Sequence, residues 1–362
     1  MGWLNINGNW IGRHSGKSWS SYWTPSSVVV ENASPTDVVL TYAKAVNPAD
    51  AIAGNFTIAG KTISGAVLDG TGKILTLTVT VAFVYGDSIT VVANSTNIAV
   101  TNNISAEAEL VTYITGLATP LSLVIRRKIN ELIKYFKTGW SVATLSVVDD
   151  CEYILAGETA ESSLKNLVKN AHHAVAVNSP VFTAFEGFTG DGISSYLDTN
   201  YNPNTEGFKL TLNDASIAIY SRTELDISSY SLGCGKSGGG SHTIGLVVKY
   251  NNQMQTRINE GTTGAVANTT SLGMAVGVRL DNATNKSYMN KNHLGDLTKA
   301  SIAIPNNNAF ICCYNVDGSA TSFNNRQVSF VRFGMGFDAT KVNVLTDGFE
   351  AYMDSNGKGV IA

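Results

Sequence analysis

The sequence predicts a mainly β protein: a small antiparallel sandwich, a short helical neck and a larger two-sheet jelly roll in succession. Three observations carry this. Short alternating segments parted by Gly, Asn and Asp turns fill residues 28–104 and recur over 181–362, the pattern of half-buried strands in sandwiches. Between them, residues 107–140 switch to helical spacing. The chain, at 362 residues, exceeds one ordinary domain, so separate cores are expected.

Composition narrows the function. The apolar fraction of 44% supports real cores, while charged residues reach only 15% against about 25% in ordinary globular proteins. Solvation therefore falls to Asn, Thr, Ser and Gly. A net charge of −3 argues against nucleic acid as a partner, because phosphate binding needs a basic field. No apolar run reaches a membrane span, so no membrane insertion is expected. Met1–Trp10 lacks the basic and apolar regions of a secretory signal, which predicts a chain made and kept in a reducing cytoplasm until lysis. Cys151, Cys234, Cys312 and Cys313 read as free buried thiols rather than a disulfide framework.

In chain order, residues 1–27 hold four of the five tryptophans, too many for so short a segment to bury. Trp3, Trp10, Trp19, Tyr22 and Trp23 are candidate attachment residues, since Trp and Tyr dominate binding hot spots. Residues 28–104 alternate strand and turn, with an Asp69-Gly70-Thr71-Gly72 turn, and read as a spacer without a site. Residues 105–180 form the neck and joint. A short helix is predicted over 106–116. A longer one carries Ile125, Ile129, Leu132, Ile133 and Phe136 on one stripe, with Thr119-Pro120 as its start and Gly139 as its stop. Packing of that stripe around a homotrimer axis would explain it. His172 and His173 are adjacent and lack the further ligands of a zinc pattern, so they read as structural.

The head, residues 181–362, opens on Phe188-Thr189-Gly190-Asp191-Gly192, read as the turn of a first hairpin. About a dozen strand-like segments follow, among them 216–222, 243–250, 253–258, 274–280, 287–289, 309–314 and 328–333.

Several motifs invite chemistry and withhold it. Gly233-Cys234-Gly235-Lys236-Ser237 imitates a phosphate loop, but the pattern's first glycine is replaced by Tyr230 and a strand follows where a helix is required. No strand carries the paired carboxylates of a jelly-roll glycosidase. No Gly-x-Ser-x-Gly elbow occurs either, so the expectation is a protein that is not an enzyme and needs no cofactor or metal. Asp191 and Asp198 offer carboxylates that could ligate calcium, but no dense acidic cluster surrounds them. Sugar recognition needs aromatic faces and amide side chains. Tyr196, Tyr201, Tyr230, Tyr250, Asn251, Asn252, Tyr288 and Asn290 supply these types from predicted loops and are the candidate glycan-binding residues.

Two stretches carry resemblances. Val38-Val39-Leu40-Thr41-Tyr42 with Tyr85-Gly86-Asp87-Ser88-Ile89 resembles bacterial immunoglobulin-like domains of surface and phage proteins. The stretches 185–203 and 328–334, with Phe337-Asp338-Ala339-Thr340 and the helix expected after it, look like a concanavalin/laminin-G-like domain. Together with Gly8-Asn9-Trp10-Ile11-Gly12-Arg13 and Ala156-Gly157-Glu158-Thr159-Ala160-Glu161, the layout resembles bacteriophage virion fibre proteins, particularly of phages infecting Bacteroidetes. That resemblance implies an Ig-like spacer, a helical neck and a lectin-like jelly-roll head in a homotrimer, attached to other virion proteins and presented to host-surface glycan. It also implies residence in the virion after assembly in the host cytoplasm. The alternatives are a capsid head fibre or decoration protein with a structural role, and a glycan depolymerase.

Overall fold

The computed structural model describes residues 24–46, 48–49, 51–93, 96–238 and 241–361, and the backbone of a two-stranded hairpin, Trp3–Ile6 with Asn9–Gly12. Trp19, Tyr22 and Trp23 lie outside the described residues. Trp3 and Trp10 are placed by backbone alone, Trp10 opposite Asn5.

The chain divides into two compact units, Met1–Ala106 and Glu107–Ala362. In the first, seven strands follow the order Phe56–Ile58, Ile89–Ala93, Thr96–Asn102, Ser27–Glu31, Ser34–Thr41, Ile74–Val79, Ile63–Leu68. The pairings are antiparallel except that of Ser27–Glu31 with Thr96–Asn102, which is parallel. Alternation puts Val30, Val38, Leu40, Leu75, Leu77 and Val91 wholly inside. The Asp69 turn forms as its residues dictate: the carboxylate accepts from the Lys73 and Ile74 amides, and Gly72 takes a left-handed φ of 72°.

The neck is not a separate segment. Helix Leu123–Trp140 belongs to the second unit, and its stripe (Ile125, Ile129, Leu132, Ile133, Phe136, Trp140) is buried by elements of the same unit, chief among them the C-terminal helix Ala339–Ser355. The homotrimer-axis expectation for this stripe is thereby corrected: the chain covers the stripe itself. The termini differ too. Ser122, not Thr119, caps the helix by accepting from the Ile125 amide at 3.3 Å, and Ser141 ends it with a left-handed φ of 56°. Gly139 lies within the helix, where a Cβ would come 2.5 Å from Val344, and a Cβ on Gly348 of the facing helix would come 2.7 Å from Phe136. The glycines serve close helix approach, not termination.

The joint is likewise part of the head. Strand Asp149–Ile154 pairs with Gln327–Gly334, Cys151 opposite Phe333. Asp150, buried, accepts from the Phe208, Lys209 and Leu210 amides and from the Tyr201 hydroxyl, which ties this strand to the 208–210 loop. Neighbouring Arg332 is buried against Asp149, with its guanidinium 3.5 Å above the Phe337 ring. Strand Asp149–Ile154 therefore falls in the same compact unit as the head, Glu107–Ala362.

Two sheets enclose the head's core. The eight-stranded sheet runs Val181–Thr183, Gly187–Thr189, Gln327–Gly334, Ala215–Ser221, Gly273–Arg279, Thr284–Met289, Asn292–Thr298, with Asp149–Ile154 beside Gln327–Gly334. The nine-stranded sheet runs Val175–Val177, Tyr196–Asp198, Phe310–Ile311, Leu232–Lys236, His242–Tyr250, Gln253–Glu260, Ala265–Ala267, with Tyr314–Val316 and Ser319–Thr321 alongside. Ile217, Ile219, Ile244, Leu246, Ile258, Val331 and Phe333 fill the space between them.

Two strand predictions need correction. Gly187–Thr189 and Tyr196–Asp198 do not pair as a hairpin but lie in different sheets. The Asp191 carboxylate accepts from the amides of Ile193, Ser194 and Ser195, and Gly190 packs against the Asn324 backbone, so this turn carries the chain from one sheet to the other. The predicted strand 309–314 breaks in two at Cys312, whose φ of 67° no strand tolerates.

Candidate ligand-binding face

Strand alternation builds a surface on the outside of the nine-stranded sheet. Leu232 and Cys234 point into the core, so Gly233 and Gly235 point outward, and Gly245 lies opposite Gly233 on the next strand. The glycines make room for rings. A Cβ on Gly233 would come within 3.1 Å of the Tyr314 ring, one on Gly245 within 2.8 Å of the Tyr230 ring, and one on Gly235 would meet the Tyr314 hydroxyl. Over this floor Tyr230 and Tyr314 stack, centroids 4.3 Å apart and planes 19° from parallel. The misleading phosphate-loop look of this stretch thus has a physical cause.

Hydrogen bonds fix the pair. The Tyr314 and Thr243 hydroxyls lie 2.7 Å apart, and Arg257 on the adjoining strand donates from Nη1 to the Tyr230 hydroxyl at 3.0 Å. Burial pushes the Tyr314 phenol up to about 12, so it stays a neutral hydrogen-bonding group. In the other direction Phe310 stands opposite Gly233, and its ring lies 4.6 Å from Tyr196, which in turn is 6.1 Å from Phe323. The row Tyr196, Phe310, Tyr314, Tyr230, Arg257 crosses four strand spacings, roughly 19 Å at about 4.8 Å each. Phe310 and Tyr314 are buried within it, whereas Tyr196, Tyr230, Phe323 and Arg257 remain part-exposed. No described residue engages the Tyr196 hydroxyl.

The predicted glycan residues divide three ways. Tyr196 and Tyr230 join this face. Tyr250, Asn251, Asn252 and Asn290 gather instead at the loop end of the sandwich: Asn251, Asn252 and Asn290 take left-handed φ values of 52°, 53° and 49°, and Asp226 accepts from the Asn251 and Asn252 amides. Tyr201 and Tyr288 are corrections, because both are buried. Tyr201 donates to Asp150 at 3.0 Å and packs 5.2 Å from Phe333, and Tyr288 is 5% exposed. Tyr201 belongs to the core between the sheets and Tyr288 to the eight-stranded sheet, so neither joins this face.

Phe310, Tyr314, Phe323 and Arg257 were missed. Their signal is the outward glycine alternation, which points to rings only once the strand pairing is known. The two candidate calcium carboxylates are spent locally. Asp191 is held well below the ordinary carboxylate range by the amides of its own turn, and Asp198 accepts from the Asn200 amide and the Asn308 side chain. Among the described residues, no group of three or more His, Cys, Asp or Glu side chains is placed to hold a metal ion. The structure so defines a two-sheet β-sandwich bearing an aromatic outer face.

No family model matches the chain, and no curated protein does. Among solved structures it is similar to the Trypanosoma rangeli sialidase in complex with the inhibitor DANA (TM-score 0.39, 11% identity, 84% of this chain and 45% of that chain). It is similar also to the binding domain of botulinum neurotoxin serotype D (TM-score 0.38, 7% identity, 56% and 53%). A third is the CBM40 of a Ruminococcus gnavus IT-sialidase bound to alpha2,3 sialyllactose (TM-score 0.32, 16% identity, 44% and 94%). The chain spans about half the length of the sialidase and toxin chains it matches. At these scores the likenesses carry no argument, and the face rests on the chain's own geometry.

Proposed function

We propose that this chain is a non-enzymatic fibre or tail-associated protein of a bacteriophage virion, whose C-terminal unit holds a host-surface glycan against the row from Tyr196 to Arg257. One observation carries the binding reading: a glycine-floored sheet face that fixes aromatic rings in a line, with Arg257 at its end. The part-exposed rings of Tyr196 and Tyr230, held in place by buried Phe310 and Tyr314, offer flat apolar surface to sugar C–H groups at little entropic cost, and the Tyr196 hydroxyl and Arg257 supply polar contacts at either end. The virion reading is supported by the resemblance of the module order and of the tryptophan-rich start, through which the chain would attach. Weak single sites suit such a protein, because several heads on one particle gain affinity by multivalency.

A glycan array probed with the full chain tests this, with Tyr196→Ala and Tyr230→Ala in parallel. Retention of a host-type glycan is expected, weakened about tenfold by each substitution, the loss of about 1.4 kcal/mol. Binding that is absent, or unchanged in both variants, contradicts the proposal, and release of shortened glycan would point to a depolymerase.

A further inference from the structure

The loop end of the head carries a cleft apart from the aromatic row. It measures about 180 Å³ and lies between the turn at residues 267–270 and the hairpin turn at 289–294. Its apolar lining is buried Met289 with half-buried Leu294 as the floor, and Ala267 stands exposed beside them. Its walls are amides committed before any ligand arrives. Asn268 donates to the Val248 carbonyl at 2.8 Å, while Asn290 accepts from the Met274 amide at 2.7 Å and donates to the Leu272 carbonyl at 2.8 Å. At the rim, the Thr269 hydroxyl and the Asn292 side-chain amide are engaged by no described residue. No charged side chain lines the cleft, and the charges near it are paired, Lys249 with Glu224 at 2.6 Å and Lys291 with Asp347 at 2.7 Å.

These features select a ligand. At about 30 Å³ per water the space equals roughly six waters, which suits one sugar ring and falls short of the roughly 300 Å³ of a drug-sized pocket. An apolar floor under neutral donors and acceptors fits a ring with one C–H face and several hydroxyls. A carboxylate-bearing sugar would lose hydration with no cation to replace it. We infer that the cleft binds a single uncharged hexose or N-acetylhexosamine unit, as a second site independent of the aromatic row. The committed amide walls hold its shape, and Thr269 and Asn292 read the hydroxyls.

Saturation-transfer NMR on the full chain tests this with free glucose, galactose, mannose and N-acetylglucosamine as probes and N-acetylneuraminic acid as the charged comparison. One neutral sugar is expected to bind with a Kd of about 1 mM or weaker. Thr269→Val and Asn292→Leu should each weaken it about threefold to tenfold, the loss of one hydrogen bond, with melting temperature unchanged. Tyr230→Ala should leave it intact. Absence of neutral-sugar binding, indifference to both rim substitutions, preference for the acidic sugar, or loss in Tyr230→Ala would overturn the assignment.

Discussion

Gly245→Ala is the sharpest probe of how the fold builds the face. The added Cβ would stand 2.8 Å from the Cδ1 and Cε1 atoms of Tyr230, where carbon atoms settle at about 3.5–4.0 Å. The ring must retreat by about 0.7–1.2 Å. That displacement opens the 4.3 Å stack on Tyr314 and stretches the 3.0 Å bond from Arg257. The stack is worth about 0.5–1.5 kcal/mol and the hydrogen bond about as much again, so the second unit should lose about 1–3 kcal/mol. At about 2–4 °C per kcal/mol for a unit of this size, its melting temperature should fall by roughly 2–12 °C. Differential scanning calorimetry and near-UV circular dichroism of the tyrosines read the two effects. Gly65→Ala is the control, because its Cβ would meet nothing closer than 3.9 Å. A Gly245→Ala chain with unchanged melting and an unchanged tyrosine signal would refute the role assigned to the glycine floor.

Three further outcomes follow from packing and charge. Asp150→Ala removes the acceptor of the Phe208, Lys209 and Leu210 amides and of the Tyr201 hydroxyl and should cost about 2 kcal/mol or more in denaturant unfolding, at about 1–3 kcal/mol for each of the two buried donors, Leu210 N–H and Tyr201 O–H; a loss under about 1 kcal/mol would show that the joint strand is not tied to the head as described. Gly348→Val drives a side chain into Phe136 and Tyr135 and should destabilise the helix pair by about 1–3 kcal/mol, seen as a lower urea midpoint. Glu260 is held up to about 7 from its ordinary 4.5, chiefly by burial, with Arg279 and Arg257 opposing. The folded state therefore binds this proton more tightly than the unfolded chain. Its contribution is fully present below about pH 4.5 and is lost as pH rises through about 7, a loss of about 3 kcal/mol at 1.36 kcal/mol per pKa unit. Glu260→Gln should flatten that slope in melting temperature against pH, and an unaltered slope would assign it elsewhere.

Much of the architecture was legible because strand periodicity is local. Residues 243–250, 253–258, 274–280 and 328–333 read as strands and are strands, within a residue or two at their ends. The amphipathic helix was legible for the same reason, but its partner was not, since the covering helix Ala339–Ser355 lies some two hundred residues away. Gly139 shows the same limit: glycine near a helix end reads as a stop, and only the facing Val344 reveals it as a contact point. The site was half legible. Tyr196 and Tyr230 carry the right chemistry, and so does Tyr201, yet nothing in the local sequence says that the Tyr201 hydroxyl is claimed by Asp150. Tyr314 was hidden inside a segment that read as one strand until the left-handed Cys312 divides it.

The central claim, that the row from Tyr196 to Arg257 holds glycan, is tested most directly by the tyrosine-ring resonances of the full chain titrated with isolated host-surface polysaccharide. The Tyr196 and Tyr230 rings should shift together and saturably, while buried Tyr153 and Tyr201 stay fixed. Saturable binding that leaves both Tyr196 and Tyr230 unmoved would contradict the claim.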